Sequence, residues 1–142
     1  MNNEFVSYEI ALKLKELGFN EPCLTYYYEL TSNLRTHIGV DIGNAWIYSG
    51  NKKLGFTLAP LYQQVFRWFR EQFNWQSQIE ATNDQHSHKL GYNHFIWNNI
   101  TGEEYHTMPK DRPSGDWCFT TYEEAQKNCI LDLILIIKNQ NK

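Results

Sequence analysis

The chain is poor in the features that most often announce a function. It has three cysteines, Cys23, Cys118 and Cys129, an odd number with no Cys-x-x-Cys spacing. That excludes a disulfide framework and a zinc-knuckle pattern. It has no long apolar run. The longest, Ile130 to Ile137, is broken by Asp132 and is too short to cross a bilayer. The first residues, Met-Asn-Asn-Glu-Phe-Val, lack a positive region and an apolar core, so no secretory leader is expected. With no membrane signal and no disulfide pattern, a reducing cytoplasm is the expected compartment. No Gly-x-Ser-x-Gly, phosphate-binding loop or dinucleotide fingerprint occurs, so the chain is not expected to be an enzyme, and no cofactor is implied. Basic charge is also short: the formal net charge is −3, which argues against a general nucleic-acid binder.

What the chain has is aromatic residues. They make up 15% of its 142 residues, enough to fill a real core in one domain while keeping some polar ring tips wet. They concentrate in Ala59 to Glu80. Pro60 fits the first turn of a helix. At about 100° per residue, Trp68, Leu61, Val65, Phe69, Tyr62, Phe73 and Phe66 fall in one arc of roughly 160°. Gln63, Gln64, Arg67, Arg70 and Glu71 take the other side. Most of these rings are expected to fill a core. Trp68, at the edge of the arc beside Arg67 and Gln64, is the one assigned to a binding surface.

The remaining elements follow in order. Ser7 caps a first helix, Tyr8 to Leu17, which Gly18 stops. Cys23 to Leu30 alternates as a strand. Thr31 to Lys53 is glycine- and asparagine-rich, with Ala45 to Tyr48 as its one short strand candidate. After the central helix a strand runs from Trp75 to Glu80, and Ala81 to Lys89 reads as a polar loop. Tyr92 to Trp97 and Glu103 to Met108 form a hairpin around the turn Asn98 to Gly102. Thr121 with Glu124, or Thr120 with Glu123, matches a capping box that opens the last helix. Leu131 and Leu135 lie on the side of that helix opposite its core stripe, so either the N-terminal segments or a second copy must cover them. The second alternative would make this face a homodimer contact. The whole reads as a single α+β domain of order α-β-(β)-α-β-β-β-α. Its sheet is mostly antiparallel, of four to five strands, with helices packed on one face.

Three blocks carry a resemblance. They are Phe5 to Glu9 with Leu14 to Cys23, then Ala59 to Glu71, then Thr121 to Ala125, about a third of the chain and in this order. Together they resemble a family of small uncharacterised proteins carried by phages and prophages of Bacteroidetes-type bacteria. The resemblance implies a mobile-element accessory protein in a bacterial cytoplasm and supplies no catalytic residues. From Pro60 on, the order helix, three strands, helix is also similar to that of a double-stranded-RNA-binding domain. Glu123 and Glu124 stand where that fold places phosphate-seeking lysines.

Candidate chemistry is sparse. Asp84-x-His86-x-His88, with His94 and His106 further on, is the only metal-like cluster, and His86 and His88 are its candidate ligands. No third ligand has characteristic spacing, so solvated loop histidines are expected. Glu103 and Glu104 with His106 offer an acid–base set. Cys118 precedes a helix start, where a thiolate is stabilised, but no base can be paired with it. Gln63, Arg67, Trp68, Arg70, Trp97 and Trp117 are the candidate binding residues, and Lys110 and Arg112 could extend them into an aromatic-basic surface. The expected function is therefore non-enzymatic: binding a host or phage protein, or sequestering a small ligand. A nucleic-acid-binding accessory is the alternative.

Overall fold

The structure is a computed structural model that describes residues 4–28, 33–36, 56–83, 90–106 and 118–142. The fold is α+β, with three helices and six strands among the described residues. The expected strand Ala45 to Tyr48, the histidines His86 and His88, and Lys110, Arg112 and Trp117 lie outside them. The chain divides into two compact units, Met1–Val65 and Phe66–Lys142.

In the first unit, helix α1 (Tyr8–Glu16) is capped by Ser7, whose side chain accepts the Ile10 N–H, and ends at Gly18 with a φ of 92°. Gly18 can adopt that left-handed backbone without a Cβ clash, which stops the helix where the apolar spacing runs out. Its apolar face, Ile10, Ala11 and Leu14, is buried. Strands β1 (Thr25–Tyr28), β2 (Asn33–Thr36) and β3 (Phe56–Leu58) form an antiparallel sheet in the order β2-β1-β3. Buried Thr25 donates its hydroxyl to the Ala59 carbonyl at 2.6 Å, and Tyr27 donates its hydroxyl to the Val6 carbonyl at 2.7 Å. These bonds tie the sheet to the segment that leads into the second helix.

That helix, α2 (Tyr62–Phe73), starts later than Pro60 suggests. The Pro60 carbonyl accepts the Val6 N–H, the Ala59 N–H goes to the Thr25 carbonyl, and Leu61 bridges to Phe5. Pairing with the N-terminal segment holds residues 59–61 extended, so the proline precedes the helix instead of opening it. At the other end Asn74 takes a φ of 61°. Asparagine tolerates this left-handed turn, and the chain passes at once into the next strand.

In the second unit, β4 (Trp75–Asn83), β5 (Leu90–Asn98) and β6 (Glu104–Tyr105) form an antiparallel sheet in the order β4-β5-β6. β4 extends to Asn83, into the stretch expected to be a loop, because Ala81, Thr82 and Asn83 pair with Tyr92, Gly91 and Leu90. The β5–β6 turn is held by Asn98, whose Oδ1 accepts the N–H groups of Ile100 and Thr101, and by Gly102 at a φ of 72°. Helix α3 (Tyr122–Gln140) opens with the Thr121–Glu124 capping box and packs on β4 and β5.

Where one sheet of four to five strands was expected, the strands form two three-stranded sheets. The difference lies in the stretch that alternation could not resolve. β2 and β3 are short, and both pair with β1, not with the hairpin strands that follow α2. Each sheet of three strands gains its stability from the helix packed on it.

Candidate functional site

The second sheet has two faces of different character. β5 alternates, so Tyr92, His94 and Ile96 point one way and Asn93, Phe95 and Trp97 the other. The first set meets α3: His94 bonds Asp132, and Tyr92 packs edge-on against Tyr122 with ring centroids 5.7 Å apart.

On this covered face lies a buried polar cluster. His94 Nε2 and Asp132 Oδ2 are 2.7 Å apart, with side chains 2% and 17% exposed. Tyr92 and Phe119 form an antiparallel bridge, exchanging two backbone hydrogen bonds of 2.8 Å. The bridge places the Phe119 ring diagonally over His94, stacked at 5.7 Å and 17°. Cys129, one helical turn before Asp132, is bonded to Ser77; burial pushes its thiol up, the Ser77 bond partly offsets this, and the Asp132 charge adds to it. His94 Nδ1 is buried with no hydrogen-bond partner among the described residues. A histidine oriented by a carboxylate is the geometry of a general base. Here the second ring nitrogen is enclosed, and the pair fastens helix to sheet. His94 and Asp132 stand 38 residues apart, so no local spacing joins them. The signal was Asp132 alone inside an apolar run, which calls for a buried partner.

The other face carries Gln76, Gln78 and Glu80 from β4, Asn93, Phe95 and Trp97 from β5, and Glu104 from β6. Phe95 is 40% exposed and Trp97 half-buried. The Trp97 indole N–H is donated to Asn99 Oδ1 at 3.1 Å. Gln78 donates to Glu80 at 2.5 Å, and His106 meets Glu104 at 3.1 Å. The face is thus two aromatic rings among amides and carboxylates. The acid–base set foreseen in Glu103, Glu104 and His106 reduces to this Glu104–His106 contact, with both side chains more than half exposed.

The candidate residues of the central helix fall differently. Gln63, Arg67 and Arg70 lie on its exposed side. Gln64 is taken up structurally: it donates to the Pro22 carbonyl at 2.8 Å and meets Cys23 Sγ at 3.8 Å. Trp68 was assigned to a binding surface but is 4% exposed, in edge contact with Phe69 and Phe73 at 5.1 Å each. Its ring turns inward against those two phenylalanines instead of toward the polar side of the helix. Cys118 is partly exposed, and its Sγ abuts the backbone at Gly91. Leu131 is half-buried and Leu135 is 46% exposed.

No helix among the described residues is long and apolar enough to cross a membrane. Comparison with family models, with curated proteins and with solved structures finds no match.

Proposed function

We propose that the chain is a non-enzymatic binding module whose ligand is another protein, docked on the outer face of the β4–β5–β6 sheet. The observation that carries this reading is the exposure of Phe95 beside Trp97 on a sheet face that α3 leaves uncovered. Aromatic side chains supply large contact area at low entropic cost and dominate protein interfaces. A flat sheet face suits a protein surface better than a small molecule, which is usually held in a concavity. The setting we propose is that of an accessory protein of a phage or prophage acting in a bacterial cytoplasm, in keeping with the three sequence blocks that suggest it.

The nucleic-acid alternative rests on the helix–three strands–helix order and on Arg67 and Arg70. It is disfavoured by Glu80 and Glu104 on the open sheet face and by exposed Glu123 and Glu124 at the start of α3, which repel phosphate. A second copy of the chain is a further proposed partner, at the face of α3 that carries Leu131 and Leu135.

Affinity capture from a bacterial lysate, run in parallel with native chain and a Phe95→Ser/Trp97→Ser variant of matched circular dichroism, tests the main reading. A protein retained by the native chain and lost from the variant is expected. Equal retention by both, or recovery only of nucleic acid that needs Arg67 and Arg70, would overturn it.

A further inference from the structure

We infer that the open face of the second sheet takes a cationic segment of its partner, one bearing two arginine or lysine side chains with apolar residues between them; this rests on the binding-module reading above. Charge and spacing single out this face. Register places Glu104 beside Trp97 across the β5–β6 pair and Glu80 beside Asn93 across the β4–β5 pair. The two carboxylates therefore stand at opposite corners of the face, with Phe95 and Trp97 on the strand between them. Four residues along a strand and two strand spacings across it set their backbones roughly 17 Å apart. Among the described residues the face carries no lysine or arginine: its other members include Gln76, Gln78, Thr82 and Asn93, with His106 held against Glu104.

Each part of the patch favours a cation over an anion. Glu80 and Glu104 are exposed, so ion pairs with them need no costly desolvation. Phe95 and Trp97 offer π faces to a guanidinium or ammonium. The Trp97 indole N–H is already satisfied by Asn99, so the ring demands no acceptor from its ligand. An acidic ligand would meet two carboxylates and gain no compensating donor from a lysine or arginine among the described residues of the face. Two cations four residues apart in an extended segment share one face at roughly 13 Å, and their long side chains reach the remaining distance to the two corners.

The test uses a fluorescein-labelled five-residue peptide with arginine at each end and apolar residues between, and its counterpart with glutamate at each end. Binding to the full chain is read by fluorescence anisotropy at low and physiological salt. The arginine peptide is expected to bind and the glutamate peptide not to. Glu80→Gln with Glu104→Gln should weaken binding about 3- to 10-fold at low salt, the scale of two exposed ion pairs. A charge-matched control, Glu71→Gln with Glu123→Gln, should leave it within 2-fold. An equal loss in the control, no loss in the Glu80/Glu104 variant, or preference for the glutamate peptide would overturn the cationic assignment. If the assignment fails while a partner is still captured through Phe95 and Trp97, the binding-module reading stands. If neither peptide nor partner depends on those two rings, both fall.

Discussion

His94 and Asp132 join the middle of β5 to the middle of α3 through a 2.7 Å contact between Nε2 and Oδ2. The contact places a polar pair inside the helix–sheet packing, and the histidine is left with its Nδ1 unpartnered among the described residues. The arrangement has a definite energetic signature.

Removing one member should cost more than removing both. Asp132→Leu leaves the His94 ring buried with no partner for Nε2, a loss of about 1–3 kcal/mol. Adding His94→Phe removes the orphaned nitrogens and keeps a ring against Phe119, so the double variant should recover part of that loss. Urea denaturation of the two single variants and the double variant checks this. Strictly additive costs would mean that the two side chains do not act as a pair.

The elements whose signal is local were legible in the sequence. The Ser7 cap, the Gly18 stop and the Thr121–Glu124 box depend on residues within four positions of one another, and all three are present. The β5–β6 turn was legible for the same reason, since Asn98 and Gly102 carry it themselves. What escaped depends on partners far along the chain. Pro60 is held extended by Val6, β3 exists because β1 pairs with it, and the run from Ala81 to Asn83 is a strand because Leu90 to Tyr92 lies beside it. The sites divide in the same way. Phe95 was never singled out, because its exposure follows from which face of β5 the helix α3 covers, and no single-strand pattern states that. Trp68, which was singled out, turned inward.

Cys23 links stability to alkaline pH. Burial pushes its thiol from an ordinary value of 9.0 up to about 12, with Glu21 adding to the shift and the Gln64 contact partly offsetting it. A raised folded-state value means that the folded chain holds this proton more tightly than the unfolded chain. The resulting stability is fully present below pH 9 and is lost as pH climbs through about 12. Burial raises Tyr27 and Tyr62 in the same direction. Native Cys23 should therefore resist alkylation at pH 8 and react at full rate after denaturation. Cys23→Ala should flatten the fall of thermal midpoint between pH 9 and pH 11. An equally steep fall in that variant would show that Cys23 contributes nothing to it.

Gly91 is a site of close approach. A Cβ there would lie 2.6 Å from the Phe119 carbonyl oxygen and would collide with Cys118 Sγ. The carbonyl belongs to the Tyr92–Phe119 bridge, which also holds the ring over His94, so it cannot yield without loosening both. Gly91→Ala should destabilise by about 1–3 kcal/mol through overpacking. Adding Cys118→Ala should restore only part of this, since the backbone clash persists. Full rescue by Cys118→Ala in chemical denaturation would place the whole cost on the thiol instead.

We propose the face of α3 that carries Leu131 and Leu135 as a dimer contact. With Leu131 as the reference, helical spacing puts Glu124, Leu131 and Leu135 on one outward stripe. In the proposed dimer, two copies laid antiparallel about the level of Leu133 bring Leu131 against the partner's Leu135. The same antiparallel arrangement sets the two helix dipoles favourably. Such an interface is isologous, each leucine contact occurring twice. Sedimentation equilibrium at high micromolar concentration is expected to show a dimer, and Leu135→Glu a monomer, because the substitution sets a carboxylate against the partner's Leu131 in the centre of the contact. Leu135 is exposed, so the variant should unfold within about 0.5 kcal/mol of the native chain when both are compared as dilute monomers. A native chain that sediments as a monomer at that concentration would remove the dimer, and a Leu135→Glu chain that remains dimeric would move the interface to another face.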